Sequence, residues 1–256
     1  MSDDIITSFY NYFEMFPATT EEFKRAAYRL RYEVFCLEMQ YWDTNDCPDG
    51  LEMDEYDELA EHYILRHRET GVVAATTRLI LPDAENPEWV FPIEAHSMIT
   101  YGNLLDGVPR SQIAEVSRFC VSQNYKRRFG EKHTLVGADL PEVPQQHTMG
   151  SVERRTLPYF ILALIACLLR MSIRHGTTHW LAFMEPALTR ALRIIGIYFI
   201  PIGPLIDYCG RRGPYLIKIA DLLEGTKRKS MLAWNMMTNH GMFWDEGDYG
   251  EWADRR

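Results

Sequence analysis

One stretch, Ile113-Ala-Glu-Val-Ser-Arg-Phe-Cys-Val-Ser122, constrains this chain more than any other. Apolar or small residues fill both parities. Ile113, Phe119 and Val121 stand on one and Ala114, Val116 and Cys120 on the other, the pattern of a strand covered on both faces. Glu115 and Arg118 interrupt that pattern. An unpaired charge in such a place costs several kcal/mol or more, so each must face a polar cleft, a partner charge, or both. Residues three apart on a regular strand point to opposite faces, so the two can share a cleft only if a bulge, with Ser117 the natural place, shifts the register between them. An internal ion pair, or an Arg118 that snorkels to a sheet edge, accounts for the same residues equally well.

Other classes of protein are set aside on composition. The 256 residues, 46% of them hydrophobic, are enough for one sizeable core, and no Ser/Gly/Pro-rich linker divides them, so we expect a single domain over 1–256. A net charge of −9 argues against binding nucleic acid, because neutralising phosphates requires a basic face. The five cysteines form no C-x-x-C pair and read as reduced thiols in a cytoplasmic protein. The eight histidines form no H-E-x-x-H and no close cluster with cysteine, so no metal site is expected. The N-terminus lacks the basic region and long apolar run of a signal peptide. The most apolar run, Tyr159 to Leu169 between Arg155 and Arg170, is about half the ~20 residues a transmembrane segment needs. It reads as a buried helix, with peripheral membrane contact as the minor alternative.

In chain order, Thr20-Glu-Glu-Phe caps an amphipathic helix to about Leu37, on which Phe23, Ala26, Ala27, Leu30 and Val34 recur with helical period. Arg31 and Phe35, four apart, share a face, although Arg31 taken alone reads as a solvated charge. Cys36 to Glu52 is a long loop carrying Trp42, of the kind that closes over a substrate. Glu61 to Arg66 and Val72 to Ile80, joined by a turn at Thr70-Gly71, form a hairpin in which Arg78 is another charge in an apolar strand. Short helix and loop occupy Ile93 to Asp106. Gln123 to Gly130 is a local basic cluster, and Arg127, Arg128 and Gly130 there make either a phosphate cradle or a solvated loop. A loop insertion fills 131–150. A helix from about Val152 to His175 ends at Gly176, and a strand follows over His179 to Met184. Next come a helix over Pro186 to Ile195, closed by Gly196, and strands over Ile197 to Ile200 and Tyr215 to Ala220. A C-terminal extension at 228–256 carries Trp234, Trp244 and Trp252, too many aromatics for a free tail. The alternation implies an α/β domain, a central mixed β-sheet flanked by helices.

Five pieces carry a resemblance: Arg31-Tyr-Glu-Val-Phe35, Asp54-Glu-Tyr-Asp57, Gly71-Val-Val-Ala-Ala-Thr-Thr-Arg78-Leu, Phe91-Pro and Glu115-Val-Ser-Arg118-Phe-Cys-Val, in one order over Tyr28 to Val121. In them the sequence resembles the acyl-homoserine-lactone (autoinducer) synthases and the related N-acyl amino acid synthases, which are GNAT-like acyltransferases. It is most similar to the group called PEP-CTERM/exosortase system-associated acyltransferases, with Gly203 to Tyr215 adding to that match. Trp42 stands one residue further from Phe35 than is usual in the lactone synthases, and the insertion and tail are extra.

The resemblance implies a GNAT-like fold and an N-acyltransferase with no tightly bound cofactor, using acyl carrier protein or acyl-CoA thioester as donor and a small amine as acceptor. Glu115 and Arg118 are then the catalytic pair. Arg31, Phe35, Trp42, Asp54, Asp57, Arg78 and Phe91 bind substrate, Arg127, Arg128 and Gly130 bind the donor, and acyl carrier protein is the expected partner. A carboxylate such as Glu115 suits the chemistry, because an amine attacking a thioester must first lose its proton. Three readings follow: fatty acyl transfer to an amino-acid-like amine, lactone synthesis from S-adenosylmethionine, and a non-catalytic acyl-binding protein.

Overall fold

The computed structural model describes residues 2–47, 49–86, 88–101, 103–125 and 157–241. Its helices are α1 (Ser2–Tyr12), α2 (Glu21–Tyr32), α3 (Pro92–His96), α4 (Leu157–His175), α5 (Pro186–Ile194), α6 (Ile219–Lys229) and α7 (Met231–Thr238). The strands are β1 (Phe13–Pro17), β2 (Ala60–His67), β3 (Val73–Ile80), β4 (Ile113–Val121), β5 (His179–Met184), β6 (Ile200–Pro201), β7 (Ile206–Asp207) and β8 (Arg211–Lys218). They form one mixed sheet in the order β1-β2-β3-β4-β5-β8-β6, with β7 on β8. β1 runs antiparallel to β2, from Phe13 opposite His67 to Pro17 opposite Tyr63. β4 and β5 are parallel from Ile113 opposite His179 to Val116 opposite Ala182, where their register ends although β4 continues to Val121.

Local chemistry explains most of these elements. The Thr20 hydroxyl accepts from the Phe23 amide at 3.3 Å and starts α2. The helix does not stop at Tyr32 but widens into a π-helical segment over Glu33–Glu38, in which the Met39 amide reaches back five residues to the Val34 carbonyl. Between β2 and β3 the chain turns at Gly71, whose φ of 70° lies in the left-handed region that glycine adopts without strain. In α4 every residue from Phe160 to Leu169 is buried, so the helix is apolar all round. No helix among the described residues is long and apolar enough to cross a membrane.

Some boundaries differ from the sequence reading. The expected strand at Ile197 to Ile200 shrinks to Ile200–Pro201, because Gly196 at φ 94° sends the chain through an irregular stretch first. The strand expected over Tyr215 to Ala220 starts earlier, at Arg211, and ends at Lys218, since the Ile219 amide is taken by the Thr178 carbonyl and α6 begins there. The extension begins as ordered helix, with Ser230 capping α7 and Ala233, Met236 and Met237 buried. Trp244, Trp252 and the 131–150 insertion lie outside the described residues.

Contacts divide the chain into two compact units. The first takes in Met1–Met53, His62–Thr77 and Arg118–Ile165, and within it Leu30, Val34, Phe35 and Cys120 form a buried cluster. Phe13 meets Phe9, Tyr125 and Phe160 there, ring against ring. The second takes in Asp54–Glu61, Arg78–Ser117 and Ala166–Arg256, with a core of Ile80, Phe91, Ile93, Ile113, Leu181, Ile202 and Leu216.

Candidate active site

In the first unit the end of α2 delivers Arg31, which is 1% exposed. A guanidinium cannot shed its charge, so burial demands a carboxylate partner. That partner is Glu52, 3% exposed, which accepts from Arg31 Nε at 2.5 Å. Arg118 grips the same carboxylate, with Nε 3.0 Å from both oxygens and a terminal nitrogen 2.7 Å from Oε1. Burial alone would push the Glu52 carboxyl up; the charges and hydrogen bonds of Arg31 and Arg118 outweigh it and hold the pKa down to about 2. The Arg118 guanidinium lies 4.7 Å from the Trp42 ring and 5.6 Å from that of Phe35, and those two rings meet edge-on at 5.3 Å. Arg118 itself has φ 50°, unusual inside a strand, and Val116 to Phe119 are half-buried between the buried ends of β4.

In the second unit the remaining charges sort into two groups. Asp54 caps the 3-10 helix Glu55–Leu59 in a reciprocal box with Asp57, its side chain accepting from the Tyr56 amide at 3.1 Å while Asp57 accepts from the Asp54 amide at 2.9 Å. Arg78, 1% exposed on β3, binds both carboxylates, at 2.5 and 3.0 Å to Asp54 and 2.6 Å to Asp57, and donates through Nε to the Ser117 hydroxyl at 2.9 Å. Four donors in a planar fork meet three partners, an arrangement a lysine cannot reproduce. Arg78→Lys is therefore expected to lower unfolding free energy by about 2 kcal/mol, and denaturant unfolding checks it.

Glu115, 4% exposed, accepts at Oε2 from the Ile93 amide at 2.8 Å, in the first turn of α3. Immediately before α3, Phe91 is fully buried, edge-on to Trp89 at 4.8 Å and beneath the Arg110 guanidinium at 4.2 Å. Arg110 pairs with Glu94, which also accepts from the Tyr101 hydroxyl and the Phe91 amide. Burial pushes the Glu94 carboxyl up, but these donors prevail and its pKa is lowered.

The structure thus gathers Arg31, Phe35, Trp42 and Arg118 in one unit. Asp54, Asp57 and Arg78 come together in the other, where Glu115 and Phe91 serve the start of α3. Arg127, Arg128 and Gly130 lie outside the described residues. Sequence reasoning missed Glu52, the bond of Ser117 to Arg78 and the Glu94–Arg110 pair. Glu52 sits among Asp43, Asp46, Asp49 and Asp54, which made it look like one more solvated loop acid; its only signal is the apolar neighbours Leu51 and Met53. Thiol chemistry has little support, because burial first, then Cys47, pushes the Cys36 thiol up to about 12, and burial does the same to Cys167. Among the described residues no group of three or more His, Cys, Asp or Glu is arranged to hold a metal ion.

The family described as "Acetyltransferase (GNAT) domain" matches residues 30–135. No curated protein matches the chain. Among solved structures, TofI, crystallised with an inhibitor and MTA, superposes with a TM-score of 0.54 at 17% identity, covering 86% of this chain and 99% of TofI. FeeM, an N-acyl amino acid synthase from uncultured soil microbes, gives 0.51 at 15%, covering 86% and 97%. BjaI, a CoA-dependent acyl-homoserine lactone synthase, solved with SAM and isopentyl-CoA, gives 0.52 at 18%, covering 89% and 88%. At these identities the likeness is one of fold. The chain therefore has the GNAT fold, with a GNAT acetyltransferase-type domain over residues 30–135, which places it among enzymes that transfer acyl groups.

Proposed function

We propose that the protein moves a fatty acyl group from the thioester of acyl carrier protein or coenzyme A to the amine of an amino-acid-like acceptor. The observation that carries this reading is the Arg118 guanidinium, 17% exposed, oriented by Glu52 and lying over Trp42. A guanidinium fixed in this way recognises a small planar anion, and the carboxylate of an amino acid is one. Arg31 supports it through the shared Glu52, and Phe35 and Trp42 supply the apolar surroundings. Asp54 and Asp57, oriented by Arg78, serve the acceptor's ammonium group. Glu115 takes a proton from that group, directly or through a water, and the free amine attacks the thioester carbonyl. The carbonyl oxygen gains charge that backbone amides stabilise, and collapse of the intermediate releases the thiol carrier. The protonated buried thiols of Cys36 and Cys167 favour direct attack over a covalent enzyme intermediate.

In this reading the enzyme works in the cytoplasm, where carrier thioesters are found, with Arg127, Arg128 and Gly130 meeting the donor's phosphate or the acidic face of the carrier protein. The finer kinship with PEP-CTERM/exosortase-associated acyltransferases rests on the five sequence pieces over Tyr28 to Val121, with Gly203 to Tyr215 adding to the match. Lactone synthesis is the second reading, favoured by the fold shared with BjaI and weakened by the displaced Trp42. Mass spectrometry of lipids from an expressing host separates the readings. N-acyl amino acids are expected; acyl lactones would establish the second reading, and no new lipid together with no thioester turnover by purified protein would leave acyl binding alone.

A further inference from the structure

In the second unit, the turn that follows α5 meets α6 backbone to backbone. A Cβ on Gly196 would stand 2.2 Å from the Gly225 carbonyl oxygen, and one on Gly225 2.3 Å from that of Gly196. Lys229 closes the joint, its Nζ donating to the Arg193 carbonyl at 3.0 Å and to the Tyr198 hydroxyl at 3.2 Å. Around this joint Arg190 and Arg193 on α5 and Lys227, Arg228 and Lys229 in the last turn of α6 are exposed, with the Lys227 ammonium 5.1 Å from the Trp234 ring. Ile194, Tyr198 and Met231 are exposed among them at 55%, 49% and 52%. Arg190, Arg193 and Ile194 share one face of α5, being three and four residues apart. The nearby acids on α6 are Asp221 and Glu224, and Glu224 offsets Arg228 weakly, at 3.6 Å with both side chains in solvent.

We infer that this surface docks on an anionic lipid bilayer. Five cations gathered in a chain of net charge −9 select an anionic partner. Exposed aliphatic side chains between the cations select a bilayer over an acidic protein, because an interface takes lysine and arginine at the headgroups and apolar tips at the acyl boundary. Tyr198, with the Lys229 ammonium 5.6 Å from its ring, has the amphipathic form that settles at headgroup level. The assignment is independent of the acyl-transfer reading.

The test is cosedimentation of the full chain with phosphatidylcholine vesicles and with vesicles also containing phosphatidylglycerol. Binding is expected to the mixed vesicles only, and to weaken with salt. The triple variant Arg190→Glu, Arg193→Glu, Arg228→Glu should weaken it at least about 10-fold. Ile194→Ser with Met231→Ser should weaken it while leaving the salt dependence. All three arginine side chains are exposed, so the melting temperature should hold; if the triple variant unfolds, the neutral pair Arg190→Gln, Arg228→Gln replaces it and should still lose binding. Wild-type protein that ignores the mixed vesicles, or folded charge variants that bind as well as wild type, would overturn the assignment. So would a protein that leaves vesicles alone and binds acyl carrier protein through the same arginines.

Discussion

Glu115→Gln is expected to lower turnover by about 10²–10⁴-fold with the melting temperature almost unchanged. The amide keeps the contact to α3, since its carbonyl oxygen can accept the Ile93 amide as Glu115 Oε2 does at 2.8 Å. What it loses is the basicity proposed to accept the amine's proton. The deficit should shrink as pH rises, because free amine then forms without help, so the pH–rate profile of the variant should climb where that of the parent has levelled. A purely structural Glu115 behaves otherwise, with activity falling only in proportion to the folded fraction. A well-folded variant with near-normal turnover would remove the catalytic assignment, and Glu115→Asp, which keeps the charge, should recover part of the rate.

Stability, not rate, is where Glu52→Gln is expected to act first. The carboxyl of Glu52 sits at about 2 in the folded chain against a usual 4.5, and that difference corresponds to stabilisation on the order of 3 kcal/mol at neutral pH. Its sign follows from the lowered pKa: above about pH 4.5 the contribution is fully present, and it is lost as the pH falls toward about 2, because the unfolded chain takes up the proton first. Glutamine removes the negative charge and leaves Arg31 and Arg118 without it, so unfolding free energy should drop by about 3 kcal/mol or more. Between about pH 4.5 and about pH 2 the variant should also show a flatter loss of stability than the parent. Denaturant unfolding over that range measures both. Equal free energies and equal acid slopes in the two proteins would show that Glu52 does not hold the arginines together.

Elements with strong local chemistry were legible in the sequence. The Thr20 cap, the Gly71 turn with its hairpin, the strand His179–Met184 and the helix closed by Gly196 all appear where their residues point. α1 and β1 were not legible, since β1 is defined by its register with β2, a pairing about fifty residues away that no local pattern encodes. The same limit governs the charges. Arg31, Arg78, Arg118 and Glu115 stand out because each interrupts an apolar period, whereas Glu52 lies in a loop with no period to interrupt. A buried carboxylate shared by two arginines is a property of three separated segments, and only their meeting at 2.5 to 3.0 Å reveals it.

The wide turn at the end of α2 bears on how distances along this chain should be counted. A π turn closes on the fifth residue where an α turn closes on the fourth, so it stores one residue without lengthening the helix by a full step. Trp42 is one position late relative to Phe35 when judged by the spacing of the lactone synthases, yet its ring still meets that of Phe35 at 5.3 Å. The surplus is absorbed where the Met39 amide reaches Val34 and the Tyr41 amide reaches Phe35, before the chain arrives at the indole. Linear spacing and spatial spacing are thus decoupled over Glu33–Glu38. A signature written with fixed gaps would pass over this tryptophan, while one that lets the gap vary by a single residue would find it.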